Sequence, residues 1–229
     1  MTKKDLLLFD LDGTLAHTIE QLAIASKKVA SAMGYFVPET KEIATYVGNG
    51  ANLLLVRTLC HDINATIDSV SDATLKIARE HFNKIYLDGI KDNYEIYPHV
   101  VDGLKHFKDL NIKLAVITNK PEIFALPLLK DMGVYDLFDF VLGGEVLDKK
   151  KPDPAPLLYV LDKLGGKIES SLMIGDSIND IKAGQNCNME TVGFSYGYNQ
   201  GHDIKECNPT YAFDSFLDLI KLIDSMYGK

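Results

Sequence analysis

The chain of 229 residues carries 24 Lys plus Arg against 32 Asp plus Glu, a net charge of -8, with 46% hydrophobic and 24% charged residues. This is ordinary globular composition and excludes a disordered or fibrous chain, while the acidic balance, broken only by the short run Lys149-Lys150-Lys151, argues against a nucleic-acid partner. Apolar runs stay well short of the ~18 to 20 residues of a spanning helix, and Met1-Thr2-Lys3-Lys4-Asp5 leads into a short apolar run with no cleavage site, so a cytoplasmic protein without a membrane partner, monomer or homodimer, is expected.

In chain order, the first apolar run is 6–10, which reads as a buried strand ending in Asp10. From about 18 to 92 the pattern is helical, with Leu22, Ala25, Val29 and Ala30 early and Leu75, Ala78, Phe82, Ile85 and Tyr86 late. Leu53-Leu54-Leu55-Val56 is placed in a helix, because Gly48-Asn49-Gly50 before it suits a helix entry. Beyond this stretch, strands at 114–118, 140–143 and 172–176 alternate with amphipathic helices at 101–110, 123–132 and 155–164. Alternation of this kind predicts an α/β fold, a Rossmann-like parallel sheet covered on both faces, with an all-helical insert after the first strand. The expected division is a catalytic core of residues 1–16 plus 93–229 and a helical cap of residues 17–92. Such an insert would sit above the carboxyl ends of the strands, where open α/β sheets bind ligands, and act as a lid.

The residues richest in chemistry stand at strand ends. Phe9-Asp10-Leu11-Asp12-Gly13-Thr14 puts two carboxylates two residues apart where an apolar strand runs out, and Ile174-Gly175-Asp176-Ser177-Ile178-Asn179-Asp180 repeats the pattern. Like charges this close raise one another's pKa unless a cation neutralises them. In a parallel sheet both acidic turns lie at one edge, so Asp10, Asp12 and Asp176 are candidate ligands of one hard divalent cation such as Mg²⁺. Helix capping by Asp176, Ser177 and Asp180 is the alternative for the second turn. Thr118, Asn119 and Lys151, the last followed by Pro152-Asp153-Pro154, supply the hydroxyl, amide and ammonium that a phosphate pocket needs. The cysteines Cys60, Cys187 and Cys207 lie far apart, without disulfide or zinc spacing. Of the histidines, His17 starts the hinge into the insert, and His61, His81, His99, His106 and His202 lack metal-ligand spacing.

These four segments, in this order along the whole chain, resemble the haloacid dehalogenase superfamily of phosphatases. The resemblance implies Asp10 as the nucleophile and Asp12 as the general acid and base, with Thr118 and Lys151 holding phosphate. It implies Mg²⁺ held by Asp10, the backbone carbonyl of Asp12, and Asp176, with Asp180 as an auxiliary ligand or supporting from behind. No further cofactor is implied. Asp12 separates the chain from the dehalogenase branch, and Thr14 from the phosphoglucomutase-type branch. Val47-Gly48-Asn49-Gly50-Ala51 and Tyr196-Gly197-Tyr198-Asn199 resemble the phosphoglycolate phosphatase branch, which implies 2-phosphoglycolate as the small phosphorylated metabolite. Gly48, Asn49, Gly50 and Arg57 are then candidate contacts to its carboxylate, the turn through backbone N–H groups at a helix start. Ala16-His17-Thr18 and Glu145 depart from the branch's usual residues, and a sugar phosphate, nucleoside monophosphate or pyrophosphate is the alternative substrate. A non-catalytic binding protein would lack Asp10, Asp12 or Lys151, and all three are present.

Overall fold

The computed structural model describes residues 2–228. A short strand β1 (Leu6–Phe9) leads through the two-residue strand β2 (Ala16–His17) into helices α1 (Ile19–Ala32), α2 (Thr40–Tyr46), α3 (Ala51–Cys60) and α4 (Asp72–Asp88). The chain returns through β3 (Glu95–Ile96), then runs α5 (Val100–Asp109), β4 (Lys113–Pro121), α6 (Glu122–Asp131), β5 (Phe140–Gly144) and α7 (Ala155–Leu164). It closes with β6 (Ser171–Gly175), α8 (Ile178–Gln185), β7 (Glu190–Phe194), β8 (Tyr211–Phe213) and α9 (Phe216–Tyr227). Among the described residues, no helix is long and apolar enough to cross a membrane.

Six strands form one sheet in the order β5-β4-β1-β6-β7-β8, with every neighbour pairing parallel. The α/β expectation therefore holds, and the sheet extends by β7 and β8 beyond the four runs read as strands. Burial on both faces explains why β1 is continuously apolar. Leu6 and Leu8 point into a cluster with Leu157, Val160 and Leu161 of α7, whereas Leu7 and Phe9 join the cluster holding Phe107 of α5 and Phe216 of α9. Helices thus cover both faces at the two-residue period of a strand.

Strand order also sets the site. β1 lies between β4 and β6, with Phe9 opposite Val116 on one side and Ile174 on the other. β1 ends there, so Asp10 emerges between Ile117 of β4 and Gly175 of β6, at the point where connections on either side of β1 diverge. β4 carries an irregularity there: it advances from Ile117 to Pro121 while β5 advances only from Leu142 to Gly144. Thr118, Asn119 and Lys120 thus stand against Gly143 alone, a surplus of two residues of the kind that is common beside active sites. The partner strand accommodates this only because it ends in glycine, since a Cβ on Gly144 would collide with the Asn119 carbonyl.

The antiparallel ribbon β2-β3 joins the helical segment to the sheet, with Ala16 opposite Ile96 and His17 opposite Glu95. The ribbon is lined with aromatic groups: the His17 ring lies 5.7 Å from Tyr198 and 6.2 Å from Tyr97. The helical segment meets the sheet's carboxyl edge through few groups. Asn119 and Asn179 both donate to the Gly48 carbonyl, at 2.9 and 3.1 Å, and Lys150 donates to the Asn49 carbonyl at 2.7 Å. Phe82 and Tyr86 of α4 pack edge-on against Phe124 of α6, at 5.9 and 4.9 Å between ring centres. At the rim Arg79 forks onto Glu145, with contacts of 2.6 and 2.9 Å.

Candidate active site

A cavity lies where the helical segment covers the strand ends. Its floor is polar, made by Asp10, Asp12, Thr118, Lys120 and Asp176, and its walls are largely apolar, with Leu22, Val47, Leu54, Phe82 and Phe124.

Asp10 follows the last residue of β1 and is anchored by its own backbone, whose N–H donates to the Ile174 carbonyl at 2.9 Å. Its Oδ1 accepts from the Leu11 N–H at 2.7 Å and lies 3.1 Å from the Lys151 ammonium. Lys151 comes from the turn before α7 and is buried, with Nζ donating to the Ile117 carbonyl and to Asp180 Oδ1, both at 2.6 Å. Asp180 Oδ2 accepts from the Ser177 N–H and hydroxyl, at 3.0 and 2.7 Å, which closes the first turn of α8 as a capping box. The capping alternative read in this turn and a place in the acidic site are therefore both realised by Asp180. Asp176 is held between Thr14, whose hydroxyl donates to Oδ1 at 2.7 Å, and the Tyr198 N–H, which donates to Oδ2 at 2.8 Å.

Asp10, Asp176 and Asp180 each offer a carboxylate oxygen within 4.8 Å of the others, all buried. Burial pushes Asp10 up to about 6, against the lowering pull of Lys151, with Asp180 adding to the rise. Asp176 is likewise raised, by burial and then by the Asp180 and Asp10 charges. Burial draws the Lys151 ammonium down, but Asp10 and Asp180 outweigh it and leave the group above its usual value. Three buried acids against one ammonium leave negative charge in a low-dielectric site, which a divalent cation with oxygen ligands would neutralise. The space is shaped for it: a Cβ on Gly13 or on Gly197 would run into the Asp176 carboxylate. The donor set fits a metal ion.

The metal-free protein carries a measurable signature of this crowding. An acid raised from 3.8 to about 6 in the fold supports folding below its unfolded pKa and ceases to do so as pH rises through 6. Urea unfolding in EDTA should therefore show wild type losing about 2 kcal/mol relative to Asp10→Asn between pH 4 and pH 7. A difference that stays flat across this window would rule out the shift.

Asp12 does not join the acidic group. Its carboxylate turns to Lys120 Nζ, at 2.9 and 3.2 Å from Oδ1 and Oδ2, and accepts from the Thr18 hydroxyl at 2.7 Å. Lys120 in turn donates to the Tyr86 hydroxyl at 2.6 Å. Thr118 borders the cavity and accepts the Lys120 N–H at 3.1 Å. Asn119 borders it too, but its amide nitrogen is committed to the carbonyls of Gly48 and Lys151, both at 2.9 Å. Gly48 and Gly50 form part of the wall. Asn49 and Arg57 stand behind it: Arg57 Nη1 donates to the Tyr46 carbonyl at 3.1 Å and to Asn49 Oδ1 at 3.0 Å, and that oxygen also accepts from Gln200. Lys120, Tyr86 and Thr18 were not singled out from the sequence. Lys120 directly follows two chosen residues, whereas Tyr86 reads there only as an apolar helix position.

Residues 7–194 match the family model described as haloacid dehalogenase-like hydrolase. The chain is 42% identical over 224 residues to a phosphoglycolate phosphatase of Psychrobacter arcticus, covering 98% of this chain and 97% of the relative. It is 40% identical to a phosphoglycolate phosphatase of Colwellia psychrerythraea, covering 96% and 97%. The crystal structure of a predicted phosphoglycolate phosphatase from Haemophilus somnus superimposes with a TM-score of 0.89 at 32% identity, covering 97% of this chain and 99% of the other. The expectation of an enzyme of the phosphatase class agrees with all of these. The chain belongs to the haloacid dehalogenase-like hydrolase family.

Proposed function

We propose that the chain hydrolyses 2-phosphoglycolate to glycolate and phosphate through a phosphorylated Asp10, with Mg²⁺ as its metal. The observation that carries the chemistry is the separation of two carboxylates from one strand end into two settings. Asp10 faces Lys151 and the acidic group, and Asp12 faces Lys120 and Thr18 on the side of the cavity. A nucleophile and a proton carrier need such separate settings.

In this mechanism an Asp10 oxygen forms a bond to phosphorus as the bond from phosphorus to the substrate's ester oxygen breaks. Asp12 gives its proton to that departing oxygen, releasing glycolate. Asp12 then takes a proton from a water that attacks phosphorus, and the bond from phosphorus to Asp10 breaks, freeing phosphate and restoring Asp10 as a carboxylate and Asp12 as the protonated acid. Lys151 and the Thr118 hydroxyl bind the transferring phosphoryl oxygens, where fixed positive charge and donors favour the transition state. Asp10, the Asp12 backbone carbonyl and Asp176 would hold Mg²⁺, with Asp180 fixing Lys151 beside them. Bound there, the ion supplies charge neutralisation for nucleophile and phosphoryl group together. We further propose that residues 17–92 act as a cap over the core formed by 1–16 and 93–229, opening on the β2-β3 ribbon to admit substrate. The apolar walls and small glycine surfaces of the cavity favour a compact leaving group.

Phosphate release across 2-phosphoglycolate, sugar phosphates, nucleoside monophosphates and pyrophosphate tests the reading. The expected result is a kcat/KM for 2-phosphoglycolate at least about 10²-fold above the rest, with all activity lost in EDTA and restored by Mg²⁺. Another substrate in the lead would overturn the 2-phosphoglycolate assignment and leave the phosphoryl chemistry intact.

A further inference from the structure

We infer that Lys120 is the residue that recognises the substrate's carboxylate and so sets specificity, an inference that rests on the 2-phosphoglycolate reading. A trianionic substrate needs a cation for its leaving group as well as for its phosphoryl end. Among the described residues that border the cavity Lys120 is the only lysine or arginine. Lys151 is engaged beneath the floor by Ile117, Asp180 and Asp10, and Arg57 is engaged behind the Gly48 turn by Tyr46 and Asn49.

The position of Lys120 suits the task. Its side chain is only 2% exposed and its Nζ lies 2.9 Å from Asp12 Oδ1. The group that protonates the ester oxygen must come within about 2.6–3.2 Å of it, and in 2-phosphoglycolate the carboxyl carbon is two bonds from that oxygen. An ammonium touching Asp12 is therefore within reach of the carboxylate of the same leaving group. An ammonium has three hydrogens. Its three acceptors are Asp12 Oδ1 at 2.9 Å, Asp12 Oδ2 at 3.2 Å and the Tyr86 hydroxyl at 2.6 Å, and the ligand carboxylate would take the place of the longest of them.

The helical segment holds this receptor in place. Tyr86 accepts from Lys120 and donates to Gln21 Oε1 at 3.1 Å, and Gln21 Nε2 donates to the carbonyls of Ile90 and Asp92 at 2.8 and 2.6 Å. Recognition by Lys120 is thus coupled to the packing of α1 and α4 over the core, and an ester without the carboxylate leaves that charge with Asp12 alone.

The simpler role for Lys120, orienting Asp12, predicts a different pattern and is separable by substrate. Lys120→Met and wild type are assayed with saturating Mg²⁺ on 2-phosphoglycolate and on ethyl phosphate, which lacks the carboxylate, with glycolate as product inhibitor. The expected result is a fall in kcat/KM of about 10²-fold more for 2-phosphoglycolate than for ethyl phosphate, carried mainly by KM, together with loss of glycolate inhibition. Equal falls for both esters, with glycolate inhibition kept, overturn the assignment. Tyr86→Phe, which loosens Lys120 without removing a charge, should narrow the same preference about 3- to 10-fold. It decides the matter should Lys120→Met fail to fold: an unchanged preference in Tyr86→Phe overturns the assignment. A wild type that shows no preference for 2-phosphoglycolate over ethyl phosphate instead overturns the substrate reading on which the inference rests.

Discussion

Asp10→Asn should lower phosphate release by at least about 10⁴-fold while leaving the fold intact. The amide keeps the shape of the side chain and can still accept the Leu11 N–H, but it has no anionic oxygen to attack phosphorus. Lys151 retains Asp180 and the Ile117 carbonyl as partners, so its charge is not stranded. Intact-mass measurement after acid quenching should find one phosphoryl group on the wild type, on a fragment holding Asp10, and none on the variant. A variant that keeps more than about a hundredth of the wild-type rate would be incompatible with a covalent route through this residue.

Asp12→Asn should cost about 10² to 10⁴-fold, and the form of the loss matters more than its size. Asp12 serves twice, as acid for the departing oxygen and as base for the incoming water. An alkyl ester such as 2-phosphoglycolate needs both, whereas p-nitrophenyl phosphate has a leaving group that departs without a proton. On that aryl ester the variant should release a burst of nitrophenol, about one per enzyme, and then turn over slowly as phosphorylated Asp10 waits for water to be activated. Steady turnover without a burst, at a rate close to wild type, would show that the carboxylate next to Lys120 and Thr18 is not the proton carrier.

Much of the site was legible because its residues stand at strand ends. Asp10 and Asp176 each interrupt an apolar run whose burial leaves no ordinary reason for an acid, and parallel strands necessarily end on one side. Lys151 stood out by the proline after it, and the whole helical stretch by its period. What escaped reading depends on contacts between residues distant in sequence. Tyr86 has the spacing of a core residue of α4, and only its 2.6 Å contact with Lys120 distinguishes it. The ribbon β2-β3 has two residues in each strand, too short to carry a period. Arg57 sits about two turns from the glycine turn, as expected, but the α3 backbone directs its guanidinium to Tyr46 and Asn49 instead of the cavity. Glycines in the turn were legible as a helix entry, but that Gly48 would accept from two asparagines was not, since both come from the other side of the fold.

That double acceptor bears on how cheaply the enzyme can breathe. Hydrogen bonds from Asn119 and Asn179 to Gly48, and the Arg79–Glu145 fork with its exposed Glu145 end, are contacts that water can replace in part. Each is worth only about 0.5–1.5 kcal/mol net when neutral, and an exposed ion pair about 0–1. The apolar contact that separation would break is chiefly Phe82 and Tyr86 against Phe124, with aromatic pairs contributing about 0.5–1.5 kcal/mol beyond their area. In the proposed opening of residues 17–92, the contacts that fasten the cavity, the buried Lys120–Tyr86 bond among them, would also be those that set its rate of exchange with solvent.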